Sequence, residues 1–555
     1  MQVLDPEVQA KKYTPYAGRW IACIADQVIG QGGTPEQALH AAQASRFKET
    51  PHITYIPYTP PLSINPFLEK IAARFSPDFP VYLVGGAVRN AMLNHPVHEM
   101  DFVLPEQAIK HARKIADHFK GAFYILDQER DYGRVLIPQP KSLPLVLDFT
   151  PLQGNNLEED LKTRDFTINA MAVGIHPPHP LYDPLGGAQD LHARLLRTCS
   201  PSSFKEDPIR LLRGIRFSLQ FELKPDRETK KHMREDINLI QEISAERLRD
   251  ELFHLLENRK PAAAIKILDS LEALHYCFPE LCDLHGLEQT APHIHDAWQH
   301  TLEVVNQLEK ILDALAPRVD VDKTSNLQMG LISHQLGRYR NQISAHLQQD
   351  LVQRRSIRAL FFLAAFYHDS GKPACQKVEQ DGAICYINHE LVGADLVTRR
   401  GLQLQLSNNE IKRLQLIIRN HMRPLWLAQT GSLPSRRAKF RFFRDTGSAG
   451  IDVCLLSLAD TLATYGYTLP ADVWQHHVEV IRSLLEAWWE HKEEEIYPPL
   501  YVNGNDLIDE LKIHPGPVIG QLLDEIKEAQ ATGEIKNRRQ ALELATKLLS
   551  EKKVG

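Results

Sequence analysis

The chain has 555 residues, of which 43% are hydrophobic and 24% are charged, and this composition predicts a soluble protein of three or four domains with several buried cores. Its formal net charge is −6 at pH 7. A chain that coats nucleic acid indiscriminately needs many Lys and Arg side chains to neutralise phosphates, so this charge argues against one. Any RNA contact must then come from local basic stretches such as LLRGIRF, TRDF and SRRAKFRFFR, each of which also fits an ordinary exposed helix face.

The sequence gives no sign of membrane insertion or of a disulfide framework. No apolar run approaches the roughly 18 to 20 residues needed to cross a bilayer, and the start, MQVLDPEVQAKKY, lacks the basic-then-apolar order of a secretory signal. The seven cysteines are scattered and form no CxxC pair, which indicates neither disulfides nor a zinc ribbon. The predicted location is the cytoplasm, without a membrane partner.

In chain order, a small module comes first. Residues 18–57 contain two alternating strand-like runs around a Gly-Gly turn, a Thr-Pro helix start and a third strand, which predicts a ββαβ module. Residues 66–200 alternate helix and strand patterns, with YLVGG, MDFVL, AFYIL, RVLIP and LVLDF as candidate strands of an α/β or α+β sheet domain. From about residue 204 to the end, the patterns are almost wholly helical.

The strongest local signal is VYLVGGAVRNAML followed by HEMDFVL. A predicted strand ends at Gly85 and Gly86 and continues into a helix with Arg89, so bare backbone N–H groups, a helix N-terminus and a guanidinium meet where a triphosphate can bind. Glu99 and Asp101 are separated by one residue on the next strand, so both carboxylates project from one face and can hold Mg²⁺. Such a site suits an in-line displacement by a 3′-hydroxyl with pyrophosphate as the leaving group. Taken alone, a Gly-Gly pair is also common in tight turns, and two acids one residue apart are also common on solvated edge strands.

With these motifs in this order, the chain resembles the class II nucleotidyltransferase family of CCA-adding enzymes and bacterial poly(A) polymerases. EEDLKTRDFTINAMAV resembles the segment whose arginine, here Arg164, contacts the nucleotide, while Asp165 and Asn169 shape the site. LYDPLGGAQDLHARLLRT resembles the neck connection of the family. FKEDPIRLLRGIRF resembles the protein template that selects the incoming base, which implies nucleotide-reading roles for Asp207, Arg210, Arg213 and Arg216.

The last motif also carries a physical argument of its own. Pro208 suits the first turn of a helix, after which three arginines recur at i+3 as one guanidinium stripe that begins beside Asp207. A carboxylate next to an arginine offers an acceptor and donors that match the Watson–Crick edge of a base. A surface salt-bridge ladder is the alternative explanation of the same spacing.

The sequence departs from the family pattern near the site. Glu99 stands where the family usually has Asp, and Asn90 stands where it has Asp after the motif arginine; the longer arm of Glu99 would shift the metal, so reduced activity is one expectation. The stretch LDFTPLQGNNLEEDL leaves little room for the flexible loop with which full CCA-adding enzymes switch from C to A. We therefore expect addition of part of the CCA end, or of A alone. Asp148 is either a third site carboxylate or a structural acid.

The helical half contains a second set of candidate metal ligands. An adjacent His-Asp pair in an apolar helix, followed by SGKP, is hard to explain by packing, and the set resembles the HD phosphohydrolase superfamily. The resemblance implies one metal on the His-Asp pair together with an earlier histidine and a later aspartate, and a second metal on two further histidines. In chain order these ligands are His300, His368, Asp369, His389, His421 and Asp460. The mixed set fits Mg²⁺ or a divalent transition metal, and water activated there would attack a phosphomonoester or cyclic phosphate.

These resemblances imply an α+β architecture. A nucleotidyltransferase domain with a palm-like mixed sheet is followed by a mostly α-helical body that includes an HD domain. The C-terminal segment from YVNGNDL to RRQALELA resembles the helical body that grips the tRNA elbow in CCA-adding enzymes with an attached HD domain. Five divisions are expected. They are an accessory module with a linker (residues 1–60), a transferase head (61–200), a helical neck that binds nucleotide and RNA (201–285), an HD domain (286–495) and a tRNA-binding tail (496–555).

The predicted function is template-independent nucleotide transfer to an RNA 3′ end, namely full or partial CCA addition to tRNA, with ATP, and with CTP as a further substrate. A bacterial poly(A) polymerase is the alternative within the family, because the motifs are shared. A second alternative is an HD phosphohydrolase with a transferase site weakened at Glu99 and Asn90, although intact Arg164, Asp207 and Arg210 speak against it. A non-enzymatic RNA-binding scaffold would not need two sets of metal ligands.

Overall fold

The computed structural model consists of two compact units, residues 1–242 and 243–555. The boundary falls inside segment 201–285, which the sequence predicts as one neck. The predicted α+β class is confirmed, because the large sheet lies in the first unit and the second unit is helical apart from two short ladders. The structure describes residues 14–25, 27–44, 49–58, 62, 64–139, 142–318, 326–352 and 355–554.

The first unit begins with a small module in ββαβ order. A 3-10 turn precedes an antiparallel sheet of spatial order β2-β1-β3 and one helix, with the bounds Thr14–Tyr16 for the turn, β1 Arg19–Ile24, β2 Gln27–Gly32, α1 Pro35–Gln43 and β3 His52–Ile56. Helix α1 begins at the Thr-Pro pair, where the Thr34 side chain accepts the Gln37 N–H and Pro35 occupies the first turn.

One side-chain and one backbone hydrogen bond join this module to the end of the head sheet. Trp20 Nε1 donates to the Leu181 carbonyl at 2.8 Å, and the Asp183 N–H donates to the Gly33 carbonyl at 2.7 Å. A Cβ at position 33 would lie 1.6 Å from the Asp183 carbonyl oxygen, so only glycine permits this approach. The module and the head therefore pack as parts of one unit.

The head contains a seven-stranded sheet whose register places the acidic strand beside the glycine turn. In spatial order its strands are β10 Leu181–Tyr182, β9 Ala172–Gly174, β4 Tyr82–Val84, β5 Glu99–Leu104, β8 Ser142–Pro151, β7 Tyr132–Gln139 and β6 Ala122–Asp127. β5 and β8 are parallel, and the other neighbours are antiparallel. Asp101 pairs with Val84 on one side and with Asp148 on the other. The glycine turn that follows Val84 is thus adjacent to Asp101.

Helices cover this sheet and complete its core. They are α2 Phe67–Ala72, α3 Gly86–Met92, α4 Ala108–Phe119, α5 Leu157–Lys162 and α6 Gly187–His192, with a 3-10 turn at Thr167–Asn169. Apolar residues of α2, α3 and α4 pack against fully buried Met100 and Phe102 of β5. The five candidate strands are present, whereas the sequence does not predict β9 and β10, because three and two residues are too few to show an alternating pattern.

The first unit ends in short helices that pack against the head. They are α7 Ser203–Glu206, α8 Ile209–Gln220, α9 Arg227–Glu235 and a 3-10 helix at Ile237–Glu242, with a parallel ladder of β11 Leu195–Leu196 and β12 Lys224–Pro225. Helix α8 begins directly after Pro208. Leu212 and Ile215 of α8 are buried, while Arg213 and Arg216 are half-buried at the edge of the packed face.

The second unit is built around two buried helices, α16 and α22. Helix α16 spans Ile357–Tyr367, helix α22 spans Ala449–Tyr465, and every side chain from Ala449 to Ala463 is buried. The helices around them are α10 Ala245–Glu257, α11 Pro261–Ser270, α12 Leu274–Cys277, α13 Ala297–Ala314, α14 Leu327–Leu336, α15 Arg340–Leu347, α17 Lys372–Cys375, α18 His389–Gln403, α19 Asn408–Asn420, α20 Arg423–Gln429, α21 Arg436–Thr446 and α23 Ala471–Trp489.

Short elements connect these helices. They are 3-10 helices at Pro279–Leu284, Gly337–Tyr339 and Gly466–Thr468, a π-helix at Lys492–Ile496, and two ladders that pair β13 Asp350–Val352 with β14 Arg355–Ser356 and β15 Lys377–Val378 with β16 Ile384–Cys385. Within the described ranges, no helix combines the length and the apolar character needed to span a bilayer.

The C-terminal tail forms a small core of its own and meets α21 through charges. Its helices are α24 Gly504–Leu511, α25 Pro517–Ala531 and α26 Arg538–Val554. Glu528 of α25 is buried and lies 3.0 Å from Arg437, 2.7 Å from Arg441 and 3.6 Å from Arg444. Much of the basic stretch SRRAKFRFFR is therefore paired with the tail, and its charge is not free for RNA.

We expect Glu528→Gln to loosen the tail. The change leaves three neighbouring guanidinium groups without their shared carboxylate, which should cost about 1–3 kcal/mol of local stability. Hydrogen exchange of residues 504–554 would measure it, with the exposed neighbour changed as Glu525→Gln for the control. Equal exchange in the two variants would mean that these ion pairs do not hold the tail.

Candidate active sites

The first candidate site contains the two carboxylates of β5. Glu99 and Asp101 are open to solvent on one face of the strand, and Met100 between them is buried. Protein atoms crowd Asp101 on its other sides, and this desolvation, together with the negative charges of Asp148 and Glu99, raises the pKa of Asp101 to about 6 against the opposing charge of Arg164. A divalent cation would relieve this repulsion, so the two carboxylates fit a metal site.

The Asp148 carboxylate accepts hydrogen bonds from two neighbouring side chains. Arg134 donates to it from Nε and from Nη2 at 2.7 Å each, and Tyr132 Oη donates at 2.7 Å. These bonds favour the structural role that the sequence leaves open for Asp148. Across the described residues, Glu99 and Asp101 belong to no set of three metal-ligating groups within 4.8 Å, so a metal on them would need further oxygens from nucleotide and water.

Three sequence motifs meet at Gly85: the glycine turn itself, the motif with Arg164 and the strand with Asp101. Its φ of 72° lies in the left-handed region, and a Cβ there would be 3.1 Å from Arg164 Nη1 and 3.6 Å from Asp101 Oδ2. Arg164 Nη2 donates to Asp160 at 3.2 Å, and its buried Nε has no hydrogen-bond partner. A guanidinium beside a bare glycine turn suits an anionic oxygen such as that of a phosphate.

Gly85→Ala tests this close approach. The methyl group would displace the Arg164 guanidinium, and its backbone strain costs about 1–3 kcal/mol, so nucleotide transfer should fall by on the order of 10²-fold. Incorporation of labelled nucleotide into tRNA measures the effect, and thermal unfolding monitors the fold. Gly520→Ala is the control, because an added Cβ there meets no atom within 4 Å. Wild-type transfer by Gly85→Ala would exclude a role for this turn.

Arg89 is held inside a buried network. It donates from Nη1 to the side-chain oxygen of Asn169 and from Nη2 to that of Asn90 at 2.9 Å. Its Cζ lies 4.2 Å from the centre of the Phe221 ring. Burial lowers the pKa of Arg89 to about 10, so the guanidinium stays charged at neutral pH. Asn90, which departs from the family pattern, is a direct partner of the motif arginine.

Asp165 extends this network to α8. Its buried carboxylate accepts from Asn169 Nδ2 at 2.9 Å, from the Phe166 N–H at 2.8 Å and from Arg213 Nη2 at 2.6 Å. Burial alone would raise the pKa of Asp165, but Arg213 and these hydrogen bonds outweigh it and lower the pKa. Four of the sequence-predicted site residues, Arg89, Asn169, Asp165 and Arg213, are thus joined in one chain of contacts.

The remaining template residues contact neighbouring protein groups that the predicted i+3 stripe of arginines does not indicate. Arg210 Nη2 donates to the Thr163 carbonyl at 2.7 Å, and its Nη1 donates to Ser203 Oγ at 3.0 Å. Arg216 lies over the Phe217 ring at 4.6 Å, and Asp207 is half-buried at the end of α7. Arg210 and Arg213 therefore tie α8 to the loop after α5, because backbone carbonyls and a buried carboxylate in that loop need donors.

The second candidate site lies in the second unit, where the six predicted ligands converge. Two groups each have ligand atoms within 4.8 Å of one another, namely His300, His368 and Asp460, and then Asp369, His389 and His421. Asp369 stands between them, with Oδ2 at 3.4 Å from His300 Nε2 and Oδ1 at 3.3 Å from His389 Nε2. The grouping differs from the expected one in that Asp369 faces both sets.

Three of these histidines are oriented by backbone carbonyls. The Nδ1 atoms of His368, His389 and His421 lie at 2.8, 2.8 and 2.7 Å from the carbonyls of Ala365, Tyr386 and Ile418. Since a carbonyl only accepts, each Nδ1 carries hydrogen and each Nε2 is directed at the cluster. Burial and the neighbouring His389 and His368 lower the pKa of His421 to about 3, which keeps its Nε2 lone pair available. This donor set fits divalent metal.

Lys372 is a residue of the second candidate site that the sequence analysis did not identify. It is 5% exposed, and its Nζ lies 2.6 Å from Asp369 Oδ2 and 2.5 Å from Gln289 Oε1. The available signal was its place in SGKP, three positions after Asp369. His293, to which the sequence assigned no role, is half-buried with its ring 5.2 Å from that of His300. Both line a cavity of about 650 Å³ that also contains Asp369, His389 and Asp460.

Four segments of the chain match known families. Residues 81–197 match the poly(A) polymerase head domain, residues 222–284 match the family described as "Probable RNA and SrmB- binding site of polymerase A", and residues 491–545 match tRNA nucleotidyltransferase domain 2. Residues 13–59 match a family of unknown function. The first of these matches contains the glycine turn, both β5 carboxylates and Arg164.

Whole-chain relatives are similar over most of their length. The A-adding tRNA nucleotidyltransferase of Deinococcus radiodurans is 31% identical over 486 residues, which cover 84% of this chain and 95% of the relative. The CC-adding tRNA nucleotidyltransferase of Geobacter sulfurreducens is 28% identical over 463 residues, covering 83% and 90%. The fold resembles that of the Thermotoga maritima CCA-adding enzyme in complex with tRNA, with a TM-score of 0.51, 18% identity and coverage of 88% and 97%.

Proposed function

Since this chain belongs to the class II tRNA nucleotidyltransferase and poly(A) polymerase family, we propose that it is an enzyme that adds part of the CCA end to tRNA. The observation that carries the proposal is the meeting of Gly85, Asp101 and Arg164 at one point. There a bare turn and a guanidinium would hold the triphosphate, and an acid would hold the metal. The substrates would be ATP or CTP and the tRNA 3′-hydroxyl.

In this proposal each group of residues has a separate role. Glu99 and Asp101 would hold Mg²⁺, which when bound would activate the 3′-hydroxyl and stabilise the charge of the leaving pyrophosphate. The turn at Gly85 and Gly86, with Arg89 and Arg164, positions the triphosphate. Asp165 and Asn169 keep Arg89 and Arg213 in place through the hydrogen bonds described above. The base would contact Asp207, which lies just before α8, and Arg210, Arg213 and Arg216 along this helix.

Partial addition is supported by the connection between β8 and α5. Only residues 152–156 separate these elements, which leaves no length for a long flexible loop. Both of the whole-chain relatives described above are named for partial addition, one of A and one of CC. We therefore propose that a partner enzyme supplies the missing part of the CCA end, in the cytoplasm where tRNA is processed.

Three tRNA transcripts distinguish the possible products. One lacks the CCA end, one lacks only the terminal A, and one is complete; each is incubated with Mg²⁺ and labelled ATP, labelled CTP or both. Addition confined to CC or to the terminal A supports the proposal. A completed CCA on the first transcript would identify a full CCA-adding enzyme, and unlimited A addition would identify a poly(A) polymerase.

For the second unit, we propose a metal-dependent phosphohydrolase. The convergence of histidine Nε2 atoms and two aspartates supports two divalent ions, of a transition metal or Mg²⁺, held by His300, His368, Asp369, His389, His421 and Asp460. When bound, such ions activate water and stabilise a phosphoryl group. Lys372 would neutralise charge on the phosphate. Release of phosphate from 3′-phosphate-ended tRNA, or opening of a 2′,3′-cyclic phosphate, measured with and without chelator, tests this activity.

A further inference from the structure

We infer that the cavity over the histidine cluster binds a nucleotide by stacking its base on Trp426. The inference rests on the phosphohydrolase proposed above and specifies its substrate class: nucleotides and RNA 3′ ends, in preference to phosphate esters without a base. It also assigns a specificity role to Trp426, a residue outside the metal-ligand set.

The cavity has a charged part and an apolar part. The charged part contains Asp369, Lys372, His389 and Asp460. The apolar part is formed by α20 and the residue before it, where Met422, Leu425, Trp426 and Gln429 recur at helical spacing and all line the cavity. A substrate that fills both parts needs an anionic group and a flat apolar group.

The wall that faces Lys372 is held in place by hydrogen bonds. Tyr386 Oη donates to the Glu288 carbonyl, and the Ile384 N–H donates to Thr290 Oγ1 at 2.7 Å. Lys372 Nζ lies 5.6 Å from the centre of the Tyr386 ring. These contacts keep the cavity open next to the cluster without needing a ligand to support it.

The size of the cavity and the exposure of Trp426 favour a base. At about 650 Å³ the cavity is far larger than a phosphate group and falls within the range of small-molecule sites. Trp426 is 50% exposed, whereas Trp298, Trp474 and Trp488 are buried at 2%, 4% and 8%. An indole left open beside the amide of Gln429 offers a base both a stacking surface and a hydrogen-bonding edge.

The implied reaction is hydrolysis and needs only water as co-reactant. The water oxygen forms a bond to phosphorus, one P–O ester bond breaks, and the departing oxygen takes a proton. For a 2′,3′-cyclic phosphate the five-membered ring opens to a monoester.

The test compares substrates with and without a base. Steady-state hydrolysis of 2′,3′-cyclic AMP and of the 2,3-cyclic phosphate of methyl riboside is measured for the full chain, Trp426→Ala, Trp426→Phe and the control Tyr467→Ala, whose side chain is 92% exposed and outside the cavity lining. Stacking predicts that Trp426→Ala raises KM about tenfold for cyclic AMP only, with kcat little changed. Trp426→Phe should restore KM, and Tyr467→Ala should match wild type.

Each outcome has a definite meaning. An unchanged KM for cyclic AMP in Trp426→Ala, with hydrolysis intact, overturns the base site but leaves the phosphohydrolase standing. If the wild-type chain hydrolyses neither compound, the phosphohydrolase proposal fails, and calorimetric titration with AMP and with ribose 5-phosphate then decides the base site alone: loss of one AMP site in Trp426→Ala supports it, and identical titrations refute it. A lower KM for a cyclic-phosphate-ended oligoribonucleotide than for cyclic AMP would identify RNA ends as the source of the base.

Discussion

Replacing Asp101 with alanine should reduce nucleotide addition to tRNA by on the order of 10³-fold, because the change removes a carboxylate that lies beside Gly85 and Arg164 and that we propose as a metal ligand. Single-turnover incorporation of labelled nucleotide measures the loss. The hydrolysis that we propose for the second unit should be unaffected, since none of the six proposed metal ligands is altered.

Two controls make this result specific. Glu106→Ala removes an exposed acid just after β5 and should transfer nucleotide at the wild-type rate. Circular dichroism of Asp101→Ala shows whether the fold is intact. Transfer by Asp101→Ala within a few-fold of wild type would exclude β5 as the catalytic strand.

Asp101→Asn should make a complementary change in stability. The folded-state pKa of Asp101 is raised to about 6 from 3.8, so the folded chain binds this proton more tightly than the unfolded chain, and the carboxylate costs stability as the pH rises through that interval and above it. Because the carboxylate is open to solvent on one side, we expect Asn to raise Tm by only about 1–2 °C at pH 7.5, with no gain at pH 4. Mg²⁺ should stabilise the wild type more than the variant.

The second large effect is expected for Asp369→Ala. Its carboxylate faces both halves of the histidine cluster, so the variant should lose bound divalent metal and reduce hydrolysis by on the order of 10³-fold, while tRNA extension continues. Elemental analysis of the purified protein measures the metal without reference to activity. Asp395→Ala, an exposed acid on α18, is the matched control. Full metal content in Asp369→Ala would refute the assigned ligand set.

Much of the geometry of the candidate transferase site could be predicted because its residues lie in contiguous motifs. The adjacency of Gly85 and Asp101 follows from neighbouring strands that are consecutive in sequence, and the structure pairs Val84 with Asp101. The engagement of Arg210 with the Thr163 carbonyl could not be read from spacing, since i+3 periodicity gives a helix face but not the element that covers it.

Contacts between distant segments were the main omissions. Arg441 and Glu528 are 87 positions apart, so a basic stretch that looks available in sequence is neutralised in the folded chain. The position of Lys372 at the second site likewise involves a contact with Gln289, which is 83 positions away in the sequence. Local sequence patterns do not indicate such distant partners. The second candidate site could be recognised because His368 and Asp369 are adjacent, and two such polar groups are uncommon together in an apolar helix.

The contact between Gly33 and Asp183 has a practical consequence for work on the transferase. The Asp183 carboxylate accepts the N–H groups of Gly187 and Ala188 at 2.7 and 3.0 Å, and a Cβ on Gly187 would lie 2.1 Å from the Thr167 carbonyl oxygen. The amino-terminal module thus contacts the turn that packs against the 3-10 helix Thr167–Asn169, where Asn169 accepts a hydrogen bond from Arg89 of the candidate transferase site. A shortened protein that begins at residue 61 would lack this contact, so a deficit in nucleotide affinity measured on it would report the truncation and not the intrinsic strength of the site.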